Sequence, residues 1–60
     1  LLGTSGTVIE FDGGHGWALV DGERWQVRAD ESLRAGQQVR VTRIDGLVLE
    51  VRSTQEGVSP

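Results

Sequence analysis

The chain has no cysteine, methionine or tyrosine, and only one proline, one phenylalanine and two tryptophans among its 60 residues. Without cysteine, neither disulfides nor a thiolate metal site can support the fold. His15 is the one histidine, and a lone imidazole cannot hold zinc without several carboxylates. No metal and no cofactor are therefore expected. Lysine is missing too, since all six cationic residues are arginine. Arginine suits planar, bidentate or stacked contacts, although a GC-rich coding bias gives the same composition. The net charge of −3 argues against a general nucleic-acid binder, which needs cations to displace counterions from phosphates. No run is long and apolar enough to cross a bilayer, and no signal peptide is visible. The chain opens on Leu1-Leu2-Gly3 rather than on methionine, which fits a piece of a longer protein or a processed one.

A chain this short is near the lower limit for independent folding and buries only about 60% of its unfolded surface. Stability then has to come from a closed or nearly closed sheet around a compact aliphatic core. Two Asp-Gly dipeptides, Asp21-Gly22 and Asp45-Gly46, each lie between runs of alternating apolar and polar residues. That is the strongest short-range signal for a β-hairpin. Period-two reading gives five strands, over Thr4–Phe11, Gly16–Val20, Glu23–Ala29, Gln38–Arg43 and Leu47–Arg52. Nothing reads as a helix. The segment Asp30–Ala35 is too short and ends at Gly36, so it reads as a turn or a single 3₁₀ turn whose Leu33 plugs one end of the core. The chain divides into a barrel domain over 1–52 and a polar tail over 53–60, expected to be disordered.

Parity assigns the faces. A two-residue loop at Asp21-Gly22 pairs Val20 with Glu23, which turns Ala18, Val20, Trp25, Val27 and Ala29 inward. Trp17, Leu19, Arg24, Gln26 and Arg28 then point outward. The same loop at Asp45-Gly46 would expose one set of valines, at about 1.5–3 kcal/mol of lost burial for each large side chain. A three-residue loop, Ile44-Asp45-Gly46 with Gly46 left-handed, pairs Val41 with Leu49 and Val39 with Val51. A bulge near Thr42-Arg43 does the same job. In the first strand, Val8, Ile9 and Phe11 cannot all face one side. The expected core is Val8, Ala18, Val20, Trp25, Val27, Ala29, Leu33, Val39, Val41, Leu47, Leu49 and Val51. This is an all-β reading: a small five-stranded OB-like barrel without a helix between strands three and four. An SH3-like barrel is the alternative.

No catalytic constellation accompanies the fold. Gly13-Gly14-His15-Gly16 lacks the Lys-Ser/Thr and the helix that a phosphate loop needs. Asp12 and His15 lack a nucleophile and a pocket, and Ser5 lacks a nearby base. The chain is read as no enzyme. An outward tryptophan beside an outward leucine marks a candidate partner surface, so the candidate binding residues are Trp17, Leu19, Arg24 and Arg28. The plainer alternative has Trp17 folded onto Arg28 or Phe11, or turned inward by a bulge. Arg24, Arg28, Arg40 and Arg52 lie on outward positions and form either a cationic stripe or ordinary cross-strand pairs with Glu50, Glu23 and Asp45.

From about Leu2 to Arg52 the chain resembles the C-terminal soluble domain of the NfeD family. The resemblance rests on Gly3-Thr4-Ser5-Gly6 followed by Val8, and on Gly16-Trp17-Ala18-Leu19-Val20-Asp21-Gly22-Glu23-Arg24-Trp25. It continues through Leu33-Arg34-Ala35-Gly36, Val39-Arg40-Val41 and Gly46-Leu47-Val48-Leu49-Glu50-Val51. It departs at Phe11-Asp12-Gly13-Gly14-His15, where many members have a leucine and a proline. The resemblance implies an OB domain that follows transmembrane helices, on the cytoplasmic face of the membrane. It also implies stomatin-, prohibitin- or flotillin-like membrane proteins as partners, in membrane-microdomain organisation or membrane quality control. Longer members carry a Ser-Lys protease, which a chain without lysine cannot contain. A second copy of the chain is a further candidate partner. The alternative function is a single-stranded nucleic-acid-binding OB module.

Overall fold

The computed structural model describes residues 2–54 of the chain. They form five strands, β1 (Ser5–Asp12), β2 (His15–Val20), β3 (Glu23–Arg28), β4 (Gln38–Asp45) and β5 (Val48–Ser53), with no helix among the described residues. The sheet closes on itself in the order β1-β2-β3-β5-β4. Neighbours are antiparallel except β3 and β5, which run parallel from Gln26↔Val48 to Arg28↔Glu50. This is the Greek-key arrangement of the OB barrel.

The three hairpins reverse in different ways. Asp21 and Gly22 both take positive φ (54° and 79°), with Val20 opposite Glu23. This is the type I′ pattern, whose twist matches that of the flanking strands. The faces follow as parity demands: Ala18, Val20 and Val27 are fully buried, while Trp25 and Ala29 are half-buried against the core. Between β1 and β2, Gly13 and Gly14 both take positive φ, and Asp12 faces His15. The glycine pair is a hairpin turn.

The second Asp-Gly hairpin corrects the three-residue-loop expectation. Asp45 stays in β4 opposite Val48, so the loop is Gly46-Leu47. Gly46 has φ 64° and occupies the first central position, where a type II′ turn requires glycine. The odd residue is absorbed upstream by a bulge at Thr42, between Val41↔Val51 and Arg43↔Glu50. Val41 therefore faces Val51 rather than Leu49, and Val39 faces Ser53 rather than Val51. All of these valines and Leu49 are buried. Leu47, expected in the core, sits at the turn and is 80% exposed.

A second bulge resolves the conflict in β1. The register shifts between Val8↔Ala18 and Glu10↔Trp17, which leaves Ile9 as the extra residue. Val8 is buried, Phe11 packs against the core, and Ile9 is exposed. Leu33 enters the core from the β3–β4 connection. That connection is fastened to the bulged strand, since the Val8 N–H donates to the Gln37 carbonyl (2.9 Å) and the Gly36 N–H to the Val8 carbonyl (2.7 Å). The Trp25 indole N–H is buried without an acceptor among the described residues. Such an orphaned donor costs about 1–3 kcal/mol. β5 continues to Ser53, and the Thr54 N–H donates to the Gln38 carbonyl (3.1 Å). The sheet thus runs past 52, and the rest of the expected tail, 55–60, lies outside the described residues.

Candidate functional site

β2 lies between β1 and β3, so its outward residues sit in the middle of a three-strand surface. One row across it is Thr7, Leu19 and Arg24, and the next is Glu10, Trp17 and Gln26. Leu19 is 48% exposed. The Arg24 guanidinium carbon lies 5.0 Å from the centre of the Trp17 ring, within range for a cation–π contact. Trp17 is half-buried with Arg24 over its ring, while Arg28 is engaged by Glu50 and Asp45. Beside it opens a shallow cleft of about 320 Å³, lined by Glu10, Phe11, Trp17 and Gln26 among others.

Ile9 was missed by parity reasoning. Its bulge position is set between Val8↔Ala18 and Glu10↔Trp17, and the side chain is 41% exposed. A bulged residue and its successor stand opposite one residue of the partner strand, which places Ile9 beside Trp17. The signal in the sequence was the consecutive Val8-Ile9 pair, which a regular strand cannot turn to one side.

Arg28 is held elsewhere. Its Nη2 donates to Glu50 Oε2 at 2.6 Å and to Asp45 Oδ2 at 3.2 Å, and its Nε donates to the same Glu50 oxygen at 3.3 Å. The hydrogen bond to Glu50 raises the Arg28 pKa, and in return it pulls the Glu50 carboxyl below the usual carboxylate range. The expected pairing with Glu50 and Asp45 is thus realised by a single arginine. Arg40 and Arg52 face each other across β4 and β5, away from β2. The four arginines form no continuous stripe. Asp12 and His15 are cross-strand neighbours, and Ser5 lies opposite Arg40. Among the described residues no group of three or more histidines and carboxylates could hold a metal ion.

A closed OB-type barrel that presents an aliphatic–aromatic–arginine face has the build of a small binding module. Residues 1–52 match the model of the NfeD-like C-terminal, partner-binding domain, and the chain belongs to this family. The chain is also similar to the C-terminal domain of the stomatin operon partner protein 1510-C from Pyrococcus horikoshii, at 35% identity and a TM-score of 0.83. That match covers 92% of this chain and 89% of the other. No individually curated protein matches the chain. The family model describes a partner-binding domain, not a catalytic one.

Proposed function

We propose that this domain docks a stomatin-, prohibitin- or flotillin-like membrane protein through the outer face of β1–β3, with Ile9, Trp17, Leu19 and Arg24 as the contact residues. The observation that carries this reading is Arg24 over Trp17 at 5.0 Å beside the exposed Leu19. The stacking pre-orders the rotamer-rich Arg24 side chain on a rigid indole, which lowers the entropy lost on docking. Aromatic and arginine anchors flanked by aliphatic surface are the residues that dominate interface energies. Arg28, engaged by Glu50 and Asp45, stands outside this face. The domain works within a membrane protein whose helices lie outside this sequence, on the cytoplasmic side. Family membership and the likeness to a stomatin operon partner protein support this setting.

The test is titration calorimetry with the soluble domain of a stomatin-like protein from the same organism. Ile9→Ser with Leu19→Ser is expected to leave the fold intact and to weaken binding at least about tenfold, the effect of losing 1.4 kcal/mol. Unchanged affinity in a folded double variant rejects the face. Salt-sensitive binding of a single-stranded oligonucleotide on Trp17 would favour the nucleic-acid alternative.

A further inference from the structure

Arg40 and Arg52 occupy directly opposed positions of β4 and β5. Both are exposed, and like charges placed opposite one another destabilise a sheet. The chain is acidic overall, with nine carboxylates against six arginines, yet no carboxylate of the described residues pairs with these two guanidiniums. Asp45 and Glu50, the acidic residues of these two strands, are both taken by Arg28. Glu31, near the end of β5, is held by the Ser53 N–H at 3.0 Å. Among the described residues neither Arg40 nor Arg52 makes an ion pair.

The two residues line one cleft of about 260 Å³, together with Thr42, Ser53 and Thr54. The Thr42 hydroxyl is spent on the Glu50 carbonyl (3.3 Å). Thr54, fixed by its N–H to Gln38, brings a further hydroxyl. Donor count decides the ligand. A carboxylate offers about four lone-pair sites on its two oxygens. Two forks and a hydroxyl exceed what a carboxylate accepts, but they suit the three or four oxygens of a phosphate. We propose that Arg40, Arg52 and Thr54 form a binding site for a phosphate group, carried on a lipid headgroup or free in solution. The site lies on the β4–β5 side of the barrel, away from Trp17 and Leu19, and does not rest on the partner reading above.

Thermal unfolding of the full chain in inorganic phosphate, against sodium chloride of equal ionic strength, reads the free ligand. Co-sedimentation with phosphatidylcholine vesicles, with and without phosphatidylglycerol, reads the headgroup. A saturable rise in Tm with phosphate, or sedimentation that requires phosphatidylglycerol, supports the site. Whichever arm responds identifies the source. In Arg40→Gln with Arg52→Gln the response is expected to vanish, while Tm without ligand stays at or above that of the parent because a repulsion is removed. Arg34→Gln, on the β3–β4 connection, is expected to keep the response. No response in either arm, or an equal response in the double variant, overturns the proposal.

Discussion

Gly16 of β2 lies opposite Phe11 of β1, and a Cβ there would run into the Glu10 carbonyl and come within 2.6 Å of the Phe11 Cα. Both obstacles are backbone, so neither can swing aside. Gly16→Ala is expected to destabilise the domain by about 1–3 kcal/mol or more, as overpacking does, lowering Tm by some 4–8 °C per kcal/mol in a domain of this size. A second prediction at this scale concerns Glu50. Its folded pKa is depressed by the Arg28 hydrogen bond, so its contribution is fully present above the unfolded glutamate value of about 4.3. It is lost as the pH falls through the lower folded value. Glu50→Gln is therefore expected to flatten the fall of Tm below about pH 4.3, measured by circular dichroism melts across that range. Because the pair is only half-buried and open to solvent, its effect at neutral pH is expected to be small.

The Asp21-Gly22 and Asp45-Gly46 hairpins differ at the scale of the element. Asp21-Gly22 supplies both central residues of its turn, whereas Asp45 remains in β4 and Gly46 starts the turn with Leu47. Leu47 and Leu49 are two residues apart, yet one is 80% exposed and the other fully buried. Leu49→Ala is expected to cost about 2–5 kcal/mol and Leu47→Ala within about 0.5 kcal/mol, compared by urea denaturation. The strands, the inward set of β2 and β3, and the placing of Trp17, Leu19 and Arg24 were legible from period two alone. The register of β4 on β5 was not. Dipeptide chemistry permits glycine at either central position of a turn, and a bulge at Thr42 satisfies the valine faces as well as a longer loop does. The stacking of Arg24 on Trp17 was equally hidden, since it joins neighbouring rows across two strands. Arg28 takes the cross-strand pairing the sequence offered, with Glu50 and Asp45, but parity gives direction and not which of the arginines those carboxylates would choose.

For the whole molecule, closure sets the kinetics. The contacts that shut the barrel, β1 with β4 and β3 with β5, join distant parts of the chain, and such non-local pairing folds slowly. Refolding is expected in milliseconds to seconds and as a single exponential, followed by stopped-flow tryptophan fluorescence. The only proline is Pro60, so no X-Pro bond lies within the five strands and no phase of tens of seconds from prolyl isomerisation is expected. The parallel seam of β3 on β5 also has a meaning during synthesis. As the chain leaves the ribosome, β3 waits with its Gln26–Arg28 edge open until Val48–Glu50 emerge to cover it. Unpaired edges invite pairing with other chains. A chain cut short just before β5 is therefore a worse lesion than the few missing residues suggest: it keeps nearly all of the domain, but as a sticky open sheet rather than a closed barrel.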